Sequence, residues 1–203
     1  MNLKNSLITL LQYPLPHHSL SKLMSWFTHC EYKPLKNLII REIIKRYGVN
    51  MDEAAETNLD NFKSFNHFFT RTLKPGARPI HDERWSVVSP ADGEVSQAGL
   101  IQNGTIFQAK GKSFSAIDLL GGDSQRTEPF KEGTFATIYL SPKDYHRLHM
   151  PLAGKLTEMV HIPGRLFSVN QVTTEGVPGL FARNERVACL FDTAAGPMAL
   201  VLV

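Results

Sequence analysis

Two of the eight histidines, His146 and His149, stand three residues apart in Asp144-Tyr145-His146-Arg147-Leu148-His149, just ahead of Pro151. Imidazole is the side chain whose unperturbed pKa falls closest to neutrality, so a paired-histidine segment is a candidate for proton transfer or metal ligation. A second segment, Ser89-Pro90-Ala91-Asp92-Gly93, offers the carboxylate of Asp92 on a candidate tight turn. Together the three residues could form a metal-dependent hydrolase site, although His-x-x-His lacks both the separation and the glutamate of the HExxH zinc helix. What third group the carboxylate and the imidazoles serve is left open by their spacing.

Other short motifs carry less. Gly111-Lys112-Ser113 has the end of a phosphate-binding loop, but Ile106 stands where its first glycine is required. Asn103-Gly104-Thr105 fits a glycosylation sequon and, better, a two-residue hairpin turn. Leu120-Gly121-Gly122-Asp123-Ser124 reads as a plain turn.

The elements that must position these residues change character along the chain. Leu3, Leu7, Ile8 and Leu11 form a short apolar stripe. Leu20, Leu23, Met24 and Phe27 recur at helical spacing, and so do Ile40, Ile43, Ile44 and Tyr47, between Pro34 at a first turn and Gly48 at an end. The aromatics of Phe62–Phe69 repeat with the same period and read as core, and Leu73–Ile80 is too rich in proline and glycine for regular structure. From Val87 the pattern is of strands: Glu94–Ile101 and Thr105–Ala109 about the Asn103-Gly104 turn, then 134–140, 155–162, 187–192 and 198–203. The histidine segment, rich in strand-forming residues, is expected between strand and loop. An all-helical start followed by short strands implies an α+β protein: amphipathic helices, then an antiparallel β-rich domain, sandwich-like or barrel-like. The expected divisions are 1–48, helical; 49–86, helical and connecting; and 87–203, β-rich. The chain closes on Ala199-Leu200-Val201-Leu202-Val203, which reads as a buried strand, so the β-domain is expected to be incomplete at its C-terminus.

Composition sets outer limits. A chain of 203 residues with 42% hydrophobic and 20% charged residues is an ordinary globular protein. The net charge is +3, yet residues 1–48 hold seven Lys and Arg against Glu31 and Glu42, so the basic end is suited to an anionic membrane rather than to nucleic acid. Trp26 and Phe27 would then sit at headgroup depth, with lysines toward the lipid charge; the plainer reading is that these helices cover a core. The uncharged stretch from Asn5 to Ser21 falls short of the roughly 20 apolar residues of a membrane span. Cys30 and Cys189 match no metal or redox spacing and fit a reducing compartment.

Taken in order, Phe65-Asn66-x-Phe68-Phe69-x-Arg71-x-Leu73-Lys74-Pro75-x-Ala77-Arg78-Pro79-Ile80, Pro90-Ala91-Asp92-Gly93, Lys110-Gly111, Tyr139-Leu140-Ser141-Pro142-x-Asp144-Tyr145-His146-Arg147-x-His149-x-Pro151, Pro163-Gly164-x-Leu166-Phe167-Ser168-Val169-Asn170 and Leu180-Phe181-Ala182-x-Asn184-Glu185-Arg186 resemble the phosphatidylserine decarboxylase family. The helical N-terminus is similar to the membrane-associating segment of its bacterial branch.

The resemblance implies a proenzyme that cuts itself before a serine in a Leu-Gly-Ser-Thr or Gly-Ser-Ser type motif, turning that serine into a pyruvoyl group on a small subunit. It implies that Asp92 and His149 belong to the self-processing triad and that His146 serves decarboxylation of phosphatidylserine to phosphatidylethanolamine. Phe167 and Asn170 become candidate substrate contacts. No metal is implied. The expected partners are the lipid, an anionic membrane surface on the cytoplasmic side and the small subunit, with homo-oligomerisation left open. Neither serine motif occurs in the 203 residues, and Ser124 lies upstream of the histidines, so the serine is expected beyond Val203 and this chain alone should be inactive. Two alternatives stand beside this reading: the metal-dependent hydrolase of Asp92, His146 and His149, and a non-catalytic β-domain that carries or binds a partner.

Overall fold

The structure is a computed structural model describing residues 3–81, 83 and 86–203, the side chains of Leu3, Lys4 and Ile8 excepted. Three helices open the chain: α1 (Leu3–Leu11), α2 (His17–His29) and α3 (Lys33–Tyr47). Of the first apolar stripe, the side chains of Leu3 and Ile8 lie outside the described residues, while Leu7 and Leu11 are exposed. Pro34 sits in the first turn of α3, where its missing N–H costs nothing. Gly48 ends that helix at φ 68°, a left-handed cap whose N–H bonds the carbonyl of Ile44.

Contacts group the chain into two compact units, each built from segments distant in sequence. One comprises Ser19–Glu94 and Leu140–Leu152. Its core joins Ile40 of α3 to Val49, Phe62 and Phe68, the last from the short helix α4 (Phe65–Phe69), which Ser64 caps by accepting the His67 N–H. The aromatic run at 62–69 is thus core, as its spacing predicts. Ile40 is fully buried. Ile40→Val should therefore lower stability by about 0.5–1.5 kcal/mol through one lost methyl group, read as a fall in thermal midpoint of the full-length protein.

The α2 stripe behaves differently. Leu20, Leu23, Met24, Trp26 and Phe27 are all exposed, Trp26 at 64%. The covering role expected of the helices therefore belongs to α3, and α2 keeps an open apolar face. Among the described residues, no helix is long and apolar enough to cross a membrane.

The other unit comprises Met1–His18, Val95–Tyr139 and Ala153–Val203. It holds β1 (Glu94–Leu100), β2 (Thr105–Ala109), β3 (Lys112–Ser115), α5 (Ala116–Leu119), α6 (Ser124–Thr127), β4 (Thr134–Tyr139), β5 (Gly154–Ile162), α7 (Gln171–Gly176), α8 (Leu180–Arg183), β6 (Arg186–Thr193) and β7 (Gly196–Leu202). The fold is α+β, and among the described residues the strands form three small sheets, β1-β4, β2-β3 and β5-β6-β7, rather than a closed barrel.

Two expectations need correction here. Asn103 and Gly104 do adopt positive φ, but beyond a lone bridge between Gln102 and Thr105 the flanking strands go to different sheets. The hairpin forms one turn later, at Lys110-Gly111, where φ of 46° and 73° fits the right-handed twist of β2 and β3. The last strand is also not buried: β7 lies beside β6 with its residues half-buried or exposed. Lys112 and Ser113 lie on β3, in keeping with the rejected phosphate loop.

Buried polar groups in this unit are closely matched. Gln108, 1% exposed, donates to the carbonyls of Thr174 and Val177 and accepts the Leu180 N–H. Arg186, also buried, gives Nε to Leu119 O, Nη1 to Asn184 O and Nη2 to Asp118 O.

Candidate active site

The carboxylate turn and the histidine segment meet. His149 N–H donates to Pro90 O at 2.8 Å, and Val88 N–H donates to Pro151 O at 2.9 Å, so two backbone hydrogen bonds stitch the loops together. The histidine segment is irregular, not strand. Its shape is set by Ser141-Pro142-Lys143-Asp144, where proline favours the turn. Asp144 Oδ2 accepts the Ser141 N–H at 2.6 Å, and the Asp144 N–H returns a bond to Ser141 O at 2.9 Å. On the other side, Ser89 Oγ closes its own turn onto Ala91 O.

Asp92 faces Arg78. Arg78 Nε lies 2.8 Å from Oδ1 and Nη2 lies 2.6 Å from Oδ2, a two-pronged pair in which Nη2 also reaches Glu53 at 2.7 Å. The Arg78 hydrogen bonds hold the Asp92 carboxyl below its usual range, against an opposing push from burial. Asp92 is therefore a carboxylate at neutral pH. Among the described residues no hydrogen bond or ion pair joins it to His149.

His149 instead lies with Nε2 3.1 Å from the hydroxyl of buried Tyr145, the two rings stacked. His146 turns the other way: its ring stacks on Phe69 at 3.9 Å between centroids, and Nε2 is 3.0 Å from Ser141 O. A carbonyl only accepts, so Nε2 carries the proton and Nδ1 holds the free lone pair. Burial pushes the His146 pKa down, leaving a neutral imidazole at pH 7. Ser141 Oγ is buried without a hydrogen-bond partner.

A cleft of about 270 Å³ opens beside these loops, lined by Glu53, Arg71, Arg78, Asp92, Asp144 and Tyr145 among others. Among the described residues, no three His, Cys, Asp or Glu side chains converge to hold a metal ion, so the three residues of the hydrolase alternative do not form a ligand set.

A family model described as phosphatidylserine decarboxylase matches residues 65–203, which includes every residue of this site from Phe69 to His149, and a model described as PSD matches residues 7–48. This chain belongs to the phosphatidylserine decarboxylase family. A protein of Bordetella pertussis named phosphatidylserine decarboxylase proenzyme is 59% identical over 203 residues, all of this chain and 68% of its own length. One of Marinobacter nauticus with the same name is 60% identical over 200 residues, 98% of this chain and 70% of its own. The phosphatidylserine decarboxylase family consists of lyases of phospholipid biosynthesis, so the chain is of a decarboxylase type.

The two candidate substrate contacts lie in the other compact unit. Phe167 is 3% exposed and packs with Val177 and Leu180, while Asn184 clamps its backbone by two hydrogen bonds of 2.9 and 2.8 Å. Asn170 caps α7 by accepting the Thr173 N–H. Arg78, Tyr145 and Ser141 were not singled out from sequence as site residues. All three lie inside the motifs of the family resemblance, and a carboxylate at Asp92 with an arginine in a neighbouring motif was the available signal.

Proposed function

We propose that this chain forms the larger part of a pyruvoyl-dependent decarboxylase that converts phosphatidylserine to phosphatidylethanolamine after cutting itself. The observation that carries the proposal is the stitching of the Asp92 turn to the His146–His149 loop, which gathers one carboxylate and two imidazoles of different character in one compact unit.

In self-processing, His149 takes the proton of the attacking serine, and Asp92 supports the resulting imidazolium. Arg78 bonds Oδ1 once and Oδ2 twice, so Oδ1 is the oxygen with a further lone pair for an imidazole N–H. The serine belongs to sequence outside these 203 residues, in a partner subunit cut from the same precursor.

The donor set fits a small keto group: the buried, partnerless Ser141 hydroxyl would donate to its oxygen, beside the neutral His146 ring. When bound, the pyruvoyl group supplies an electron sink for loss of carbon dioxide. His146 accepts a proton at Nδ1 from the substrate ammonium and returns one to the carbon that has lost the carboxylate. Phe167 and Asn170 enter as supports of the loop that meets the lipid, one by packing and one by capping.

The exposed face of α2, on a basic N-terminal region, supports peripheral attachment to an anionic membrane on the cytoplasmic side. Leu23→Glu with Trp26→Glu should reduce binding to phosphatidylserine vesicles by about 100-fold, since each buried side chain contributes roughly 1.5 kcal/mol or more.

The test of the whole reading is direct. The full-length gene product should split in two, release phosphatidylethanolamine from phosphatidylserine vesicles, and lose activity to hydroxylamine. An uncut enzyme, active and insensitive to hydroxylamine, would sink it.

A further inference from the structure

Arg71 stands out among the buried charges. It follows α4, is 4% exposed, and lines the cleft shared with Arg78 and Asp92. Its Nη2 donates to Lys143 O at 2.9 Å and more distantly to Asp144 O, and its guanidinium lies 5.4 Å from the Phe68 ring centroid. Nε and Nη1 have no acceptor. Arg186, equally buried, has a carbonyl for each of its three nitrogens.

The carboxylates near Arg71 do not meet that need. None accepts from Nε or Nη1: Asp92 and one oxygen of Glu53 bond Arg78, the other Glu53 oxygen accepts from Asn50, and Asp144 accepts the Ser141 N–H. Burial presses the Arg71 pKa down, but a guanidinium stays protonated in any physiological medium. A buried cation with two idle donors, on the wall of a cleft, calls for an anion supplied from outside.

Resting on the proposed reaction, we infer that Arg71 binds the phosphodiester of the lipid headgroup, not the carboxylate that leaves. The distinction follows from where charge moves. Decarboxylation drains negative charge from the carboxylate, so a strong cation there stabilises the ground state more than the transition state and slows the reaction. A phosphodiester keeps its charge throughout, so a cation there strengthens binding without opposing the chemistry. Lys143, exposed on the same cleft, adds a second cation at its mouth.

The experiment uses the full-length enzyme, titrated with glycerophosphoserine, glycerophosphoethanolamine, serine and inorganic phosphate. Binding is read by calorimetry and by the Arg71 Nε–H signal in 15N–1H spectra, beside Arg71→Lys and Arg71→Met. Both diesters should move the signal and serine should not; Arg71→Met should weaken the diesters about 100-fold, the usual scale for removing one partner of a buried charged hydrogen bond. On phosphatidylserine vesicles, Arg71→Lys should raise KM about tenfold with kcat little changed, the signature of lost uniform binding.

A signal moved by inorganic phosphate and not by the diesters overturns the headgroup assignment. A signal that no ligand moves leaves water as the partner and overturns the site. A kcat that rises together with KM places the arginine on the carboxylate, a fall in kcat at constant KM gives it a transition-state role, and either overturns the inference. Should Arg71→Met fail to fold, the wild-type spectra and Arg71→Lys decide. If the wild-type enzyme makes no phosphatidylethanolamine while the diesters still move Arg71, the anion site stands and the proposed reaction falls.

Discussion

Asp92→Asn, or His149→Ala, should leave the full-length protein as one uncut chain. Self-cleavage should slow by about 10⁴-fold, the scale on which a serine nucleophile suffers when its imidazole loses the carboxylate that orients it. The Asp92→Asn side chain would keep the shape and one acceptor for Arg78, so folding should survive, and circular dichroism with a thermal melt would verify that. The ion pair also fixes the pH range. The Asp92 pKa is depressed in the folded protein, so its contribution to stability is complete above the ordinary carboxylate pKa. That contribution is lost only as pH falls through the lowered value. Cleavage at neutral pH should therefore be insensitive to the titration of Asp92. Gel analysis of freshly made protein gives the outcome, and splitting at the wild-type rate in either variant would remove these residues from processing.

How far the sequence reached is clearest residue by residue. α3 was legible because three signals agree: Pro34, the isoleucine stripe and Gly48. The short helices α5 to α8 were not, since four to six residues give no period to read, and only their caps at Ser115, Asp123 and Asn170 mark three of them. The hairpin was misplaced because Asn-Gly is the stronger turn signal, while Lys110-Gly111 depends on a non-glycine residue accepting positive φ. Long-range pairing, which sends β1 to β4 past β2, leaves no local trace at all.

The candidate site was legible in its residue types and in nothing of its geometry. Asp92, His146 and His149 could be named because they sit in compact motifs. That Asp92 would face Arg78, and that the two imidazoles would turn to different partners, depends on side-chain directions in irregular loops, where no period constrains them. Tyr145 illustrates the limit: between Asp144 and His146 it reads as one more strand-forming residue, yet it is buried and its hydroxyl holds the His149 ring.

His146→Ala should part the two activities that share this loop. The protein should split normally, while turnover on phosphatidylserine falls by about 10²–10⁴-fold, the range for loss of a positioned proton carrier. The structure sets the terms of that role. Nε2 is committed to Ser141 O, so only Nδ1 can exchange a proton with substrate, and the Phe69 ring shields one face of the imidazole. Burial lowers its pKa below the ordinary histidine value, so the ring starts neutral at pH 7 and becomes a stronger acid once protonated. The acid limb of kcat should then lie below pH 6.5, with the rate falling as protonation removes the free lone pair. Phe69→Ala would admit water to the ring and lift the pKa toward its ordinary value. The acid limb should move upward in pH with it, while self-cleavage stays intact. A limb that stays in place in Phe69→Ala, or a His146→Ala enzyme with wild-type kcat, would reduce His146 to a residue that packs against Phe69 and closes the Ser141 turn.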